Sequence, residues 1–332
     1  MTVDIVPPKR RYWLLTMPRT ASNMLVRILN LDEQGVRPAY HGGYFFFPSM
    51  LARLSLYNKE GQWAPDDRAK VGQGVTKSFD ALQDYLEAAE ENGEKVFVKE
   101  HISFLNDIHY EFEHMYGPIP DEDGPSQPAP ARGFAETTRS PLNRTALSDE
   151  FLKTWHPTFL IRHPAMMFPS LYRTAQSDIE LYGTRRAKKE PFEVEATMEF
   201  VRSLYDFYRG YFGKDSQWPL VLDADDVISY PELVMKYAGL VGLDPATLTF
   251  SWEKTSPGEI EKMNHAMKVM LGSINASTGV DKKKLAGNVD ISTEAEKWRA
   301  EFGEEGGRKL ERWVRDAMPH YEYLRERRLT LG

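Results

Sequence analysis

The sequence of 332 residues contains no cysteine. The chain therefore cannot form a disulfide, use a thiolate nucleophile or bind a metal through sulfur. It also lacks HExxH and other metal-ligand spacings, so we expect no catalytic metal. A Walker A loop, GxxxxGK followed by Ser or Thr, is absent too, which argues against a kinase or ATPase of the usual kind.

Long hydrophobic runs are missing as well. No stretch reaches the about 18 consecutive apolar residues that a membrane-spanning helix needs. The first residues, MTVDIVPPKRR, include basic side chains but lack the apolar segment of a signal peptide behind them. Together with the missing cysteines, these features predict a cytoplasmic protein that has no membrane partner.

An excess of positive charge is missing too, because 42 Lys and Arg residues against 49 Asp and Glu residues give a net charge of −7. Proteins that bind nucleic acids are usually basic, so we expect no nucleic-acid partner. A small anionic ligand is still compatible with this charge, since local donors determine its binding. The hydrophobic fraction of 41% suffices for one large core, and we predict a single domain spanning 1–332.

Short apolar runs alternate with helix-like stretches along most of the chain. Each run is almost continuously apolar, as in strands covered on both faces of a parallel sheet. The predicted strands are 12–16, 95–99, 158–162 and 219–223. The predicted helices are 22–30, one ending near Gly93, 192–212, 231–241, and 294–318 with a break at Gly306 and Gly307. This alternation predicts an α/β fold with an open, doubly wound, mainly parallel sheet flanked by helices.

One segment, 116–143, is rich in proline and glycine and has little apolar periodicity. It is either a solvated insertion or a lid over a site. The insertion is the simpler interpretation, because surface loops tolerate added length at small entropic cost.

The first predicted strand leads into a helix through a short polar turn, Met17–Met24. Backbone amides at a helix start have no partner within the helix, and the helix dipole favours an anion there. Thr20 and Ser22 add hydroxyl groups, and Arg19 adds a permanent charge that binds phosphate or sulfate oxygens. The turn therefore has the chemistry of a phosphate-binding loop. The alternative is an ordinary capped helix with Ser22 or Thr20 as its N-cap.

The residues PRTASNML in this turn resemble the sulfotransferase turn that binds the 5′-phosphosulfate end of 3′-phosphoadenosine 5′-phosphosulfate. Four residues match in type and order: Pro18, Arg19, Ser22 and Leu25. Arg19 stands where many cytosolic members have a catalytic lysine, Ala21 replaces a glycine, and Asn23 replaces a threonine. The resemblance implies that this co-substrate is bound by Arg19, Thr20, Ala21, Ser22, Asn23 and Met24.

A second run, 159–173, resembles the sulfotransferase signature in which a strand-end arginine and a serine eight residues later bind the 3′-phosphate. The resemblance assigns these roles to Arg162 and Ser170. Pro164 is expected to open a helix after the strand, and Pro169 to kink it beside Ser170. Two motifs in the family's order are stronger evidence than either one alone.

The second predicted strand is followed by a histidine, His101, where the family has the base that removes a proton from the acceptor hydroxyl. An imidazole with a pKa near neutrality suits that role. Lys99 is a further catalytic candidate because it could neutralise charge on the leaving group. A lysine run that includes Lys282 and Lys284 lies where the family binds the 3′-phosphate, although a solvated basic segment explains it equally well.

An aromatic loop soon after the phosphate-binding turn suggests the acceptor side. We place His41, Tyr44 and Phe46 there as candidate substrate contacts. The expected acceptor is a small, apolar or aromatic hydroxylated molecule, such as a secondary metabolite. The protein would act as a monomer or homodimer.

The resemblance thus implies a sulfotransferase that uses 3′-phosphoadenosine 5′-phosphosulfate as co-substrate. Because one fold hosts many reactions, an alternative is an enzyme that has lost sulfation and catalyses elimination or cyclisation through His101. A non-catalytic nucleotide-binding protein is the third hypothesis.

Overall fold

A computed structural model of the chain describes residues 10–39, 43–59, 64–118, 124–177, 180 and 185–332. Its sheet contains four parallel strands in the order β2-β1-β3-β4. The strands are β1 (Arg11–Thr16), β2 (Val96–His101), β3 (Trp155–Ile161) and β4 (Leu220–Asp223). The predicted strands and the parallel sheet are therefore confirmed, with bounds that differ by up to three residues.

Helices connect and cover the strands. The α-helices among the described residues are α1 (Ser22–Leu29), α2 (Phe47–Tyr57), α3 (Pro65–Glu91), α4 (Ile102–Leu105), α5 (Ile108–Tyr116), α6 (Asp149–Leu152), α7 (Pro164–Gln176), α8 (Glu199–Phe212), α9 (Ala224–Ser229), α10 (Pro231–Leu240), α11 (Pro257–Lys262), α12 (His265–Asn275) and α13 (Ile291–Arg325). Short 3-10 helices span Leu31–Glu33, Glu193–Ala196, Pro245–Thr247 and Lys282–Lys284.

The two faces of the sheet bury separate hydrophobic cores. Successive side chains of a strand point to opposite faces, so Trp13 and Leu15 enter one core and Leu14 enters the other. The first core includes residues of α3, α7, α8 and α13, and the second includes residues of α1 and α10. Helices on both faces make the fold an open, doubly wound α/β architecture, as predicted.

The strand order places a switch point at the carboxyl ends of β1 and β3. From β1 the chain crosses to β2 on one side, and it then continues to β3 on the other side. Ligands of doubly wound folds bind where the connections diverge in this way. The turns after Thr16 and Ile161 meet at this point, and they carry the two motifs of the sequence.

Two predicted helices differ from the structure. The stretch 192–212 begins as the 3-10 helix Glu193–Ala196, passes through an extended Thr197, and becomes helical again only at Glu199. The predicted break in the last helix lies at Gly303, not at Gly306 and Gly307. Gly303 has φ 80° and ψ 168°, a conformation that glycine adopts readily because it has no Cβ.

The glycine pair that suggested the break has a packing role. A Cβ on Gly307 would lie 2.6 Å from the Cα of Arg299, and a Cβ on Gly306 would lie 2.8 Å from the Tyr172 hydroxyl oxygen. The two glycines therefore allow the segments before and after the kink to approach each other and α7.

The described part of the proline-rich segment is bonded to its neighbours. The Ala129 amide donates to the carbonyl of Ala146 at 3.0 Å. Arg132 Nη1 lies 2.6 Å from Asp84 Oδ1 on α3, and Arg139 Nη2 lies 3.2 Å from Asp107 Oδ2 at the start of α5. That the segment acts as a lid stays a prediction.

None of the described helices is both long enough and apolar enough to cross a bilayer.

The close approach at the kink gives a stability prediction. Gly307→Ala should lower the free energy of unfolding by about 1–3 kcal/mol, because the added methyl group overpacks the contact with Arg299. Gly210→Ala is the matched control, since Gly210 lies in α8 and a methyl group there would meet no atom of the described residues within 4 Å. That control should gain up to about 1 kcal/mol in denaturant unfolding. Equal effects of the two substitutions would contradict the packing role.

Candidate functional site

The turn between β1 and α1 adopts left-handed backbone conformations at two non-glycine residues. Arg19 has φ 70° and Ala21 has φ 63°. Ala21 is the N-cap of α1, and its carbonyl accepts from the amides of Met24 at 3.0 Å and Leu25 at 3.2 Å. Ser22 and Thr20 are therefore not the N-cap, and the capped-helix interpretation was wrong on that point. The Thr20 hydroxyl instead donates to the carbonyl of Met17 at 2.8 Å, which closes the turn on itself.

Arg19, Arg162 and Ser170 meet at the switch point. Arg19 Nε donates to Ser170 Oγ on α7 at 2.8 Å, and Arg162 Nη1 donates to the Arg19 carbonyl at 3.0 Å. The remaining bonds reach later segments: Arg19 Nη1 donates to the Met270 carbonyl at 2.9 Å, and Arg162 Nη2 donates to the Lys284 carbonyl at 2.8 Å. The fold thus joins the two sequence motifs, which are more than 140 residues apart, in one cluster.

Neither guanidinium group is bonded to a carboxylate of the described residues. Burial lowers the pKa of Arg19, and no charged neighbour among the described residues offsets that effect. Burial also lowers the pKa of Arg162, although Asp225 and Asp223 act in the opposite direction. The carboxylate of Asp225 is bonded to the amides of Ala286 and Gly287. Because arginine stays protonated, the cluster carries two positive charges, and the groups hydrogen-bonded to them among the described residues are neutral carbonyls and a hydroxyl.

One donor in this cluster lacks a partner. Arg162 Nε is buried without a hydrogen bond among the described residues. An unpaired buried donor costs free energy that an anion at this position would recover. By helix geometry, the first amides of α1 also have no carbonyl partner within the helix, and they point out of its N-terminus. The residues present therefore fit an anionic group such as a phosphate.

The lysine run lies at the edge of this cluster. Lys282–Lys284 form a 3-10 helix, and the Lys284 carbonyl accepts from Arg162. Lys282 and Lys283 are exposed, and Lys284 is half-buried. The structure brings the backbone of this run to the site, while phosphate binding by its side chains stays a prediction.

His101 ends β2 directly beside the end of β1. Its Nδ1 lies 2.6 Å from Thr16 Oγ1, and the Thr16 hydroxyl lies 3.2 Å from the Glu100 carbonyl oxygen. Burial lowers the pKa of His101 well below its usual range, and the nearby Lys99 charge lowers it further. The imidazole is therefore neutral at physiological pH and is available as a proton acceptor.

Lys99 extends from β2 to the start of α1. Its Nζ lies 2.5 Å from Asn23 Oδ1 and 4.4 Å from the centre of the Tyr44 ring. Burial lowers the pKa of Lys99 to about 8, partly opposed by the Glu100 carboxylate. Asn23 thus holds the ammonium group at the start of α1, beside the turn that follows β1.

Tyr44 contacts both Lys99 and His101. Its ring centre lies 4.7 Å from that of His101 and 5.8 Å from that of Phe104. Burial raises the pKa of the Tyr44 hydroxyl, the Glu100 carboxylate raises it further, and Ser22 acts in the opposite direction. Phe104 is half-buried and packs edge-on against His101 at 5.1 Å. Aromatic surface therefore surrounds the candidate base, as an apolar acceptor would require.

Phe46 supports this arrangement from the core. Its side chain is fully buried, and its amide donates to Glu100 Oε2 at 2.9 Å. The His101 amide donates to Glu100 Oε1 at 3.0 Å, and burial raises the pKa of this carboxyl to about 8. His41, the third predicted substrate contact, lies outside the described residues.

Sequence reasoning missed three contributors to the site. Thr16 was predicted only as the last residue of a strand, Phe104 lies in a short helix without a motif, and Met270 contributes a backbone carbonyl. A signal existed for Thr16 alone, because the ends of parallel strands share one edge of the sheet. Backbone carbonyls leave no trace in residue type, so Met270 could not have been found.

Known proteins resemble the chain over nearly its whole length, although no family model matches it. The protein named sulfotransferase ppzF from Metarhizium rileyi (strain RCEF 4871) is 41% identical over 338 residues, which cover 96% of this chain and 96% of that protein. Sulfotransferase ppzF from Metarhizium majus (strain ARSEF 297) is 41% identical over 347 residues, covering 99% of each chain. Among solved structures, the sulfotransferase domain from the Synechococcus PCC 7002 olefin synthase is 13% identical with a TM-score of 0.39, covering 91% of this chain and 97% of that one.

The left-handed conformation of Ala21 gives a test of the turn. Ala21→Gly should keep or raise the free energy of unfolding, because it relieves about 1 kcal/mol of strain that offsets the flexibility of glycine. The same substitution at Ala300, an exposed residue within α13, should cost about 0.5–1 kcal/mol. Denaturant unfolding compares the two variants. A loss at Ala21 as large as that at Ala300 would show that residue 21 is not left-handed in solution.

Proposed function

The chain belongs to the sulfotransferase family, and from that premise we propose that it transfers a sulfuryl group from 3′-phosphoadenosine 5′-phosphosulfate to a hydroxyl of a small apolar or aromatic metabolite. Membership makes the protein an enzyme of the transferase class. The observation that carries the finer proposal is the cluster of Arg19, Arg162 and Ser170 at the switch point of the sheet. This cluster has two positive charges and a buried unpaired donor, and no carboxylate of the described residues bonds to either guanidinium.

Two groups of residues would hold the co-substrate. Arg162, with its free Nε, and Ser170 would bind the 3′-phosphate. The amides of the turn from Thr20 to Met24 and the Arg19 guanidinium would hold the 5′-phosphosulfate end. When bound, the co-substrate would supply an activated sulfuryl group, whose bond to the 5′-phosphate oxygen would break as 3′-phosphoadenosine 5′-phosphate leaves.

His101 would act as the general base. Its neutral ring would accept the proton of the acceptor hydroxyl. The hydroxyl oxygen gains negative charge as this proton leaves and would attack the sulfur of the sulfuryl group. Tyr44 and Phe104 flank the ring and would orient an apolar or aromatic acceptor against it. Exclusion of water by these rings also limits hydrolysis as a competing reaction.

Lys99 and Arg19 would neutralise charge during transfer. Lys99 reaches the mouth of the turn through its bond to Asn23, and Arg19 lies at the turn itself. Fixed positive groups in a buried site stabilise developing negative charge without the reorganisation that water needs. In-line transfer of a sulfuryl group from one oxygen to another depends chiefly on such positioning and on neutralisation of the negative charge.

Binding of the nucleotide is tested by thermal unfolding with 3′-phosphoadenosine 5′-phosphate. A ligand that binds only the folded protein raises the melting temperature, by an amount that grows with ligand concentration. Arg162→Met should weaken binding by about 10- to 100-fold, since it removes charged hydrogen bonds to the phosphate. Arg27→Met is the matched control, because Arg27 lies on α1 but stacks on Trp252.

An unchanged melting temperature of the wild-type protein would overturn the proposal. A clear shift without sulfate transfer to any phenol or alcohol of a broad panel would instead favour acid/base chemistry by His101 or nucleotide binding alone.

The pH dependence of kcat/KM tests the two titrating groups, since this parameter reports on the free enzyme. The low pKa of His101 keeps the base neutral at pH 6.5, so activity should fall only well below that pH. Activity should also fall as the pH rises through about 8, because Lys99 then loses its charge. His101→Asn should lower kcat/KM by about 10²–10⁴-fold.

The Lys99→Arg variant distinguishes the titration of Lys99 from that of the neighbouring Glu100, whose pKa is also about 8. Arginine stays charged above pH 8, so this variant should lose the alkaline decline. An alkaline decline that persists in the variant would assign it to Glu100 and contradict the role of Lys99.

A further inference from the structure

The Thr16 side chain lies against the His101 ring where β1 and β2 end. The two residues end adjacent parallel strands and are register partners, and the Thr16 side chain is buried. Thr16 Oγ1 lies 2.6 Å from His101 Nδ1 and 3.2 Å from the Glu100 carbonyl oxygen. Both distances lie within hydrogen-bonding range.

The hydroxyl has one proton to share between these two neighbours. A carbonyl oxygen carries no proton, so a bond between it and Thr16 requires the hydroxyl to donate. The hydroxyl oxygen then has lone pairs left, and these are available to accept a hydrogen bond from an N–H at His101 Nδ1. In the neutral imidazole only one nitrogen carries a proton, so Nε2 is left with a lone pair.

The surroundings keep the ring in this orientation. Tyr44 lies 4.7 Å from the ring centre and Phe104 packs edge-on at 5.1 Å. Among the described residues, the charged groups beside the ring include Lys99, two positions before it on the same strand, and Glu100, whose carboxylate accepts from the His101 amide. Within the described residues, Nε2 has no hydrogen-bond partner and stays free for an incoming group.

We propose that Thr16 is a positioning residue that holds His101 as the Nδ1–H tautomer and so directs the Nε2 lone pair toward the acceptor hydroxyl. The tautomer follows from the geometry of this protein alone, while its use in catalysis rests on the proposed function. The acceptor proton would move to Nε2 and form an imidazolium, whose Nδ1–H bond to Thr16 strengthens as the ring becomes charged.

The direct test is nitrogen-15 NMR of the imidazole groups of the full-length protein at neutral pH, with His101→Gln used to assign the signals of residue 101. In the wild-type protein we expect Nδ1 to be protonated and Nε2 to be unprotonated. Thr16→Val keeps the shape of the side chain and should shift the ring toward the Nε2–H tautomer. Thr16→Ser keeps the hydroxyl and should retain the wild-type spectrum.

Thr158→Val is the matched control, because Thr158 is a buried threonine of β3 whose register partners are Leu14 and Leu220 and not His101. The His101 signals of the Thr158→Val variant should equal those of the wild-type protein. Should Thr16→Val fail to fold, the wild-type spectrum still decides: an Nε2–H tautomer there would overturn the proposal. A folded Thr16→Val protein with an unchanged tautomer would overturn it equally.

Kinetics then test the catalytic consequence. Thr16→Val should lower kcat by about 10- to 100-fold, as loss of a histidine-orienting partner does elsewhere, and leave the KM for the nucleotide unchanged. Thr16→Ser should restore kcat. If no substrate is sulfated at all, the proposed function fails while the spectra still confirm or overturn the tautomer.

Discussion

The hydrogen bond from the Arg162 guanidinium to the Arg19 carbonyl joins the turns that follow β1 and β3. This hydrogen bond holds the backbone of Arg19 in its left-handed conformation. It therefore sets the direction in which the first amides of α1 point. Arg19 in turn reaches α7 through Ser170, which closes a ring of contacts around the switch point of the sheet. The geometry of the proposed anion site depends on this cross-link, because loops without such bonds would leave two like charges free to separate.

Much of the architecture could be predicted from the sequence. Four apolar runs predicted the four strands, and the family resemblance drawn from PRTASNML and the segment 159–173 agrees with relatives that are 41% identical. Strand order could not be predicted, because it depends on which connection crosses to which side of β1. The kink at Gly303 was misplaced because Gly306 and Gly307 form a more conspicuous pair, although their role is to permit close packing.

The candidate site was predictable where residue type determines chemistry. Arg19, Arg162 and Ser170 were identified by their motifs, and the fold brings them into contact. The partners of His101 and Lys99 were not predictable, since Thr16 and Asn23 meet them only through the register of β1 and β2 and the start of α1. Burial also changes the chemistry that a residue type suggests, because it lowers the pKa of Lys99 to about 8.

The carbonyls that accept from the two arginines have a consequence for the order of folding. Arg19 and Met270 are 251 positions apart in the chain, and Arg162 and Lys284 are 122 apart. Closing such long loops is entropically costly, and contacts of this separation form late. During synthesis the sheet edge emerges long before the segment that supplies these carbonyls. Each newly made molecule therefore completes the hydrogen bonds of its two arginines only after the ribosome has released most of the polypeptide.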